Sequence, residues 1–181
     1  MRLPSLILIA ACAALASPSL ASAQAGRAES SDRSAQGGPT ALVLGGSLGG
    51  GVELGLGHGK AGLLELELLA GWDIEASAAR TGLTIRPELA LALGAAPDGH
   101  VALRPGVRVA VPATPLWLRA AADWSTARGK DPAWRWVLLG AAWEIRMTSF
   151  LGFSFEVDTG FPVTNRSGLP LLLRAGATFR P

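Results

Sequence analysis

The sequence is poor in the residues that most often carry chemistry. Its 181 residues include no Tyr, one Cys and two His. The lone Cys12 excludes a disulfide within the chain and a cysteine-based metal cluster. Beyond residue 23 no apolar run approaches the roughly 20 residues that a transmembrane helix needs, although 49% of all residues are hydrophobic. If this chain crosses a membrane, it must do so with strands.

Lysine is also scarce, and this bears on possible partners. Lys60 and Lys130 are the only lysines, and the formal net charge is +2. The Arg residues alternate along the chain with Asp and Glu and do not gather into a basic patch. A nucleic-acid partner is therefore not predicted.

The N-terminus has the pattern of an export signal. A positively charged start, an apolar stretch over residues 3–16 and an A-x-A site at 21–23 predict a signal peptide, 1–23, cleaved after Ala23. An alternative is a lipobox at Ile9–Cys12, in which Cys12 would be lipidated. Residues 24–39 are polar and rich in Gly, Ser and Ala, which predicts a disordered periplasmic arm.

From Leu42 to Phe179 the chain consists of eight segments that alternate with period two. In the second segment, for example, Leu64 and Leu66 alternate with Glu65 and Glu67. Within each segment nearly all Arg, Asp and Glu share one parity, and the other parity is almost wholly apolar. This pattern is typical of strands between two environments and predicts that 40–181 is all-β, an eight-stranded antiparallel up-and-down transmembrane β-barrel.

Two features disturb the pattern. In the sixth segment Trp136 and Leu138 share one parity, whereas Trp143 has the other, which predicts a one-residue bulge near Gly140. Pro87 and Pro105 lie within strands and lack the N–H that the ladder needs. Bulges at the prolines, or a partly open barrel, are the expected consequences.

The charged face is predicted to point inward and the apolar face toward lipid. Small residues and Arg–carboxylate rows suit a crowded lumen, and aromatic residues fall at segment ends, as in interfacial girdles. The predicted lumen charge network is Glu65, Glu67, Arg86, Glu88, Arg104, Arg108, Arg119, Asp123, Glu156 and Arg174. The predicted aromatic girdle is Trp72, Trp124, Trp134, Trp136, Trp143, Phe161 and Phe179. The outer loops, 58–62, 94–100, 126–133 and 164–169, are expected to exceed the inner turns in length.

With its signal peptide, eight amphipathic strands, charged lumen and late Phe179, the chain resembles small outer-membrane barrels of the OmpA transmembrane-domain and OmpX type. The resemblance implies a monomer in the outer membrane of a Gram-negative cell, with lipid, lipopolysaccharide and the barrel-assembly machinery as partners. Such barrels usually end in an aromatic residue that the machinery recognises. Here Arg180 and Pro181 follow Phe179.

We expect a non-enzymatic role in the cell envelope, structural or in surface contacts, with a lumen filled by Arg–carboxylate pairs. A narrow channel and a soluble, lipocalin-like barrel that binds an apolar ligand are the alternatives. His58 and His100 lie in predicted outer loops without a Ser partner, so lipid A modification is disfavoured. No metal or cofactor is predicted, because Glu65 and Glu67 lack converging ligands and the glycines of 45–51 lack the Lys of a phosphate loop.

Overall fold

The computed structural model describes residues 41–55, 60–75, 83–96, 99–126, 131–163 and 168–181. The predicted signal peptide, the arm, His58 and Lys130 lie outside these ranges. The described residues form eight strands: β1 (Ala41–Leu54), β2 (Lys60–Glu75), β3 (Thr84–Ala96), β4 (His100–Ala110), β5 (Leu116–Ser125), β6 (Ala133–Arg146), β7 (Leu151–Pro162) and β8 (Leu169–Phe179).

Each strand pairs antiparallel with the next, and β8 pairs with β1, so the sheet closes into a barrel. The closing ladder runs without a register shift from Leu44 opposite Phe179 to Leu54 opposite Leu169. The predicted eight-stranded antiparallel barrel is therefore confirmed, and the expectation of a partly open barrel is wrong. Closure pairs every strand on both sides and leaves no free sheet edge.

The two faces of the wall differ as the alternation requires. In β8, Leu171 and Leu173 are exposed on the outer wall, whereas Leu172 and Arg174 are buried in the lumen. No Asp, Glu or Arg of the described strands has an outward parity. No helix among the described residues is long and apolar enough to span a membrane. A charged interior is the opposite of the apolar interior that a lipocalin-like carrier needs for its ligand.

The phase slip in β6 occurs earlier than predicted. Asp123 lies opposite Trp136 and Trp124 opposite Trp134, so Arg135 is the additional residue. At Gly140 the ladders to β5 and β7 continue without a shift. The predicted bulge at Gly140 is therefore wrong. A bulge lets two successive side chains face the same side, and here both Arg135 and Trp136 face the lumen.

Gly140 has a steric purpose instead. It lies opposite Asp158 of β7, and a Cβ at position 140 would overlap with the Asp158 carboxylate. Gly49 of β1 likewise lies opposite Arg174, whose side chain occupies the space that a Cβ would take. Glycine in these strands therefore makes room in the lumen for a large charged neighbour.

The two strand prolines are accommodated without bulges. Pro87 lies opposite Val107, and Pro105 lies opposite Leu89, in a β3–β4 ladder with no register shift. Both prolines are exposed on the outer wall. The ladders to β2 and β5 also keep their register on either side of the prolines. The expected bulges at these positions are therefore wrong.

The connections between strands lie at two rims. At the rim where β1 begins and β8 ends, here called the terminal rim, they fall within 76–83, 111–115 and 147–150. At the opposite rim, here called the far rim, they fall within 55–59, 97–99, 126–132 and 163–168. Much of these connections lies outside the described residues, so the expected difference in length between outer loops and inner turns stays a prediction.

Glycine at position 140 should be required for stability. Gly140→Ala forces Asp158 or its strand to move, and we expect a loss of about 1–3 kcal/mol in the free energy of unfolding, as for other overpacked sites. Gly62→Ala is the matched control, because a Cβ there meets nothing within 4 Å. Urea titration of both variants in detergent micelles measures the difference. Equal stabilities would contradict the steric account.

Candidate functional site in the barrel interior

The barrel interior is the candidate site, because the charged residues converge there. All ten predicted lumen residues are buried: Glu65, Glu67, Arg86, Glu88, Arg104, Arg108, Arg119, Asp123, Glu156 and Arg174. The predicted set omitted six further charged residues that are also buried: Glu53, Asp73, Arg135, Glu144, Asp158 and Arg180. Their parity, followed to the strand ends and one residue beyond Phe179, is the signal that identifies them.

A first group, the terminal-rim cluster, consists of Asp73, Arg86, Glu144 and Arg180. Arg86 donates two hydrogen bonds to Asp73, from Nε (2.6 Å) and Nη2 (3.2 Å), and one from Nη1 to Glu144 (3.1 Å). Arg180 donates to the same two carboxylates. Two guanidiniums thus face two carboxylates, and the Arg86 guanidinium lies 4.2 Å from the ring centre of buried Trp117. This cluster is formally neutral and lies at the terminal rim.

Arg180 explains the departure at the C-terminus. Its backbone N–H donates to the Phe150 carbonyl (2.8 Å), and its side chain enters the terminal-rim cluster. Phe179, one residue earlier, packs edge-to-face on Phe150 with ring centres 6.0 Å apart. The residue after the last strand position is therefore part of the lumen network.

A second group, the central cluster, contains four arginines and six carboxylates. The members are Arg104, Arg108, Arg119, Arg174, Glu65, Glu67, Glu88, Asp123, Glu156 and Asp158. Arg104 donates to Glu65 (2.6 and 2.9 Å), to Glu67 (2.8 Å) and to Asp123 (2.8 Å). Each arginine contacts carboxylates of at least two other strands. Because each guanidinium has several carboxylate partners, their attraction offsets the desolvation penalty of burying these charges.

Arg119 contacts four carboxylates of the central cluster. Its Nε donates to Glu88 (2.7 Å) and its Nη1 to Glu156 (2.8 Å). Nη2 lies 3.0 Å from a Glu67 oxygen, outside hydrogen-bond geometry, and Nη1 lies 3.6 Å from Asp158. One guanidinium of β5 therefore holds carboxylates of β2, β3 and β7.

The central cluster is not neutral within itself. Four guanidiniums face six carboxylates, a formal excess of two negative charges. Consistent with this excess, one oxygen of Asp123 and one of Asp158 accept no hydrogen bond from the described residues. The expected mutual neutralisation therefore holds at the rims but is incomplete at the centre.

A third group, the far-rim cluster, is formed by Glu53, Arg135, Trp136 and Gly168. Arg135 donates to Glu53 (2.6 Å), and its guanidinium lies 3.8 Å from the Trp136 ring centre. The backbone of Gly168 makes two hydrogen bonds within this cluster. Its N–H donates to Glu53 (2.7 Å), and its carbonyl accepts from the Trp136 indole (2.8 Å).

Trp136 was predicted in the aromatic girdle, and this is wrong. It is only 1% exposed, because the bulge at Arg135 turns it into the lumen. The other predicted girdle residues are exposed on the outer wall near the strand ends: Trp72, Trp124, Trp134, Trp143, Phe161 and Phe179. Their contact with a membrane interface stays a prediction.

Apolar side chains follow the far-rim cluster inward. Leu63, Leu138, Pro170 and Leu172 are buried. Leu63 of β2 precedes Glu65 of the central cluster by two residues. Pro170 and Leu172 of β8 precede Arg174 of the central cluster by four and two residues. Leu138 was expected on the outer wall, and the early bulge reverses its direction. We call these four residues the apolar plug.

The described lumen residues enclose one small cavity. Between the central and terminal-rim clusters lies a cavity of about 20 Å³, lined by Ser47, Glu67, Arg86, Arg108, Glu156 and Thr178. A cavity of this size holds about one water molecule.

His100 and the glycines of 45–51, considered above as candidates for chemistry, both lie within strands. His100 is the first residue of β4 and is buried, not a solvated loop residue. Gly94 lies opposite it and leaves room for the imidazole ring. The described residues contain no group of three or more His, Cys, Asp or Glu arranged to bind a metal. Gly45–Gly51 lies within β1, where no helix follows to form a phosphate loop.

Comparison with known proteins gives the same fold. Neisserial surface protein A (NspA) matches with a TM-score of 0.54 and 12% identity over 79% of this chain and 99% of that one. A de novo designed transmembrane β-barrel matches with a TM-score of 0.49 and 13% identity over 78% and 95%. The match to NspA shows the same fold, which in this chain is a closed eight-stranded barrel. No protein-family model and no curated protein sequence matches it.

Removing an arginine from the central cluster should lower the free energy of unfolding far more than neutralising a carboxylate does. Arg119→Gln removes the guanidinium that four carboxylates share, and we expect a loss of about 3–5 kcal/mol in the free energy of unfolding. Asp158→Asn reduces the negative excess, and we expect a change within about 1 kcal/mol. Urea unfolding, followed by tryptophan fluorescence, gives both values. A larger loss for Asp158→Asn than for Arg119→Gln would contradict the charge count.

The two tryptophans on either side of the bulge should respond differently to replacement. Trp136→Phe removes the indole donor to Gly168, and we expect a loss of about 1 kcal/mol or more in stability. Trp134→Phe, on the outer wall, is the matched control and should change stability much less. The same unfolding assay compares them, and equal effects would contradict the inward orientation of Trp136.

Proposed function

We propose that this protein is an integral outer-membrane β-barrel with a non-enzymatic, structural role in the cell envelope. The observation that carries the proposal is the outer wall, a continuous apolar belt without Asp, Glu or Arg in the described strands. Twenty-nine large apolar side chains of the described strands are exposed there. Monomeric soluble proteins rarely expose apolar patches beyond a few hundred Å², so this wall fits lipid as its solvent.

The dimensions and the closed sheet support membrane insertion. The strands are 10 to 16 residues long, enough for the roughly 9–11 residues with which a tilted strand crosses a bilayer. Closure pairs the strand backbones within the wall, as a hydrocarbon environment demands. The outward tryptophans near both rims, such as Trp72 and Trp134, would then form the interfacial girdle.

The filled interior supports a structural role over a conducting one. The far-rim cluster, the apolar plug, the central cluster and the terminal-rim cluster follow one another along the lumen, and the cavity between the last two holds about one water molecule. An eight-stranded barrel is only wide enough for side chains to fill it. An ion would have to displace paired charges and pass buried Leu138 and Leu172.

A hydrolytic role finds no support among the described residues. His100, the first residue of β4 at the far rim, is buried opposite Gly94 and is not an exposed loop residue that a lipid substrate could reach. Lipid, lipopolysaccharide and the assembly machinery are the partners that such a barrel would meet, and we propose that it acts as a monomer delivered by cleavage after Ala23.

Membrane fractionation tests the placement. The protein should sediment with outer membranes, require detergent for extraction and migrate faster on detergent gels before boiling than after. Release from the periplasm without detergent would overturn the proposal.

Planar-bilayer recording tests the closed lumen. We expect no steady open level from the wild-type protein. The double variant Trp136→Ala/Leu138→Ala removes side chains of the far-rim cluster and the apolar plug and should produce measurable conductance. Trp134→Ala/Leu139→Ala, altered only on the outer wall, is the matched control. A steady open level in the wild type would favour the channel alternative.

A further inference from the structure

Two of the eight strand interfaces contain a gap in their backbone ladder. Between β2 and β3 the pairs Gly71–Glu88 and Ile74–Ile85 are present, but the two pairs between them are not. Between β4 and β5 the pairs Leu103–Trp124 and Gly106–Ala121 are present, and again the two between them are not. The register is the same on both sides of each gap. We call these gaps the proline seams.

Each seam contains a proline where an N–H would be needed. The retained register places Pro87 opposite Trp72 in the first seam and Pro105 opposite Ala122 in the second. A proline cannot donate to the neighbouring strand, so the bond is lost on that side only. The β3–β4 ladder on the other side of both prolines is continuous over ten pairs, from Ile85–Val109 to Gly94–His100.

Each seam is bridged on the lumen side by an ion pair. The residue before each proline is an arginine, and the residue opposite that arginine is an aspartate. Arg86 donates to Asp73 at 2.6 and 3.2 Å, and Arg104 donates to Asp123 at 2.8 Å. The dipeptide Arg-Pro thus removes a backbone bond and supplies a charged side-chain bond across the same gap.

The two seams flank one unit, the β3–β4 hairpin over residues 84–110. The ladders β1–β2, β7–β8 and β8–β1 show neither gap nor shift. We infer that the β3–β4 hairpin is the part of the wall that separates first, and that the Arg86–Asp73 and Arg104–Asp123 pairs are the latches that hold it closed.

Opening along the first seam would have a functional consequence. Arg86 is both a latch residue and a lining residue of the interior cavity. Its displacement with β3 would give the cavity a lateral exit through the wall between β2 and β3. The inference rests on the fold and not on membrane placement, so it can fail or succeed independently of the proposed function.

Hydrogen exchange on the folded protein in micelles tests the inference. Pro105 cannot donate to the Ala122 carbonyl, but the Ala122 N–H still faces the Pro105 carbonyl, so its exchange reports how often β4 separates from β5. It should exchange at least about tenfold faster than the N–H of Val157, which lies in two continuous ladders, since a seam weaker by one hydrogen bond opens about this much more often. Pro105→Ala supplies an N–H that can donate to the Ala122 carbonyl, so the seam should open less often and exchange at Ala122 should slow toward the rate of Val157. Equal rates in the wild type, or no effect of Pro105→Ala, would overturn the inference.

The latch is tested by a matched pair of charge changes. Among the described residues Asp123 accepts only from Arg104, so Asp123→Asn should raise the exchange rate at Ala122 about tenfold over the wild type. Asp158→Asn makes the same change in charge beside continuous ladders and should leave Ala122 unchanged. Equal effects of the two variants would refute the latch. If Asp123→Asn does not fold, the Pro105→Ala result decides alone.

Discussion

Burying a guanidinium among strands is tolerable only when carboxylates surround it, and this requirement organises the barrel. An isolated buried charge costs several kcal/mol, so each lumen arginine needs partners that its own strand does not provide. Arg119 on β5 finds them on β2, β3 and β7. A change of register by one residue would turn these charges outward. The ion pairs therefore fix strand register as well as filling the lumen.

The same requirement governs where small residues lie. A charged side chain that crosses the lumen needs space at the wall it meets, and glycine supplies that space. Gly49 accommodates Arg174, Gly140 accommodates Asp158, and Gly94 accommodates His100. Gly49 of β1 thus belongs to the packing of the lumen.

Charge and apolar packing divide the interior between them. The rim clusters are neutral and hold the barrel ends, with Arg180 at one and Gly168 at the other. The central cluster carries the negative excess, shielded from the far rim by the apolar plug. Beside Pro87 and Pro105 an Arg–Asp pair bridges the missing backbone bonds. Side-chain electrostatics thus maintain the wall at the two places where its ladder is interrupted.

Parity along the sequence by itself determined the strand count, the antiparallel barrel and the ten lumen charges, because a period-two pattern records which face of a strand each residue occupies. Only the tertiary structure decided which charges pair, since partners such as Arg119 and Glu67 are brought together by closure. It also decided that Trp136 faces inward and that Gly140 is not a bulge. A change of phase is visible in the sequence, but its position depends on which inward side chains have space and partners in the lumen. Arg135 and Trp136 contact Glu53 and Gly168 there. Gly140 leaves the space that Asp158 occupies.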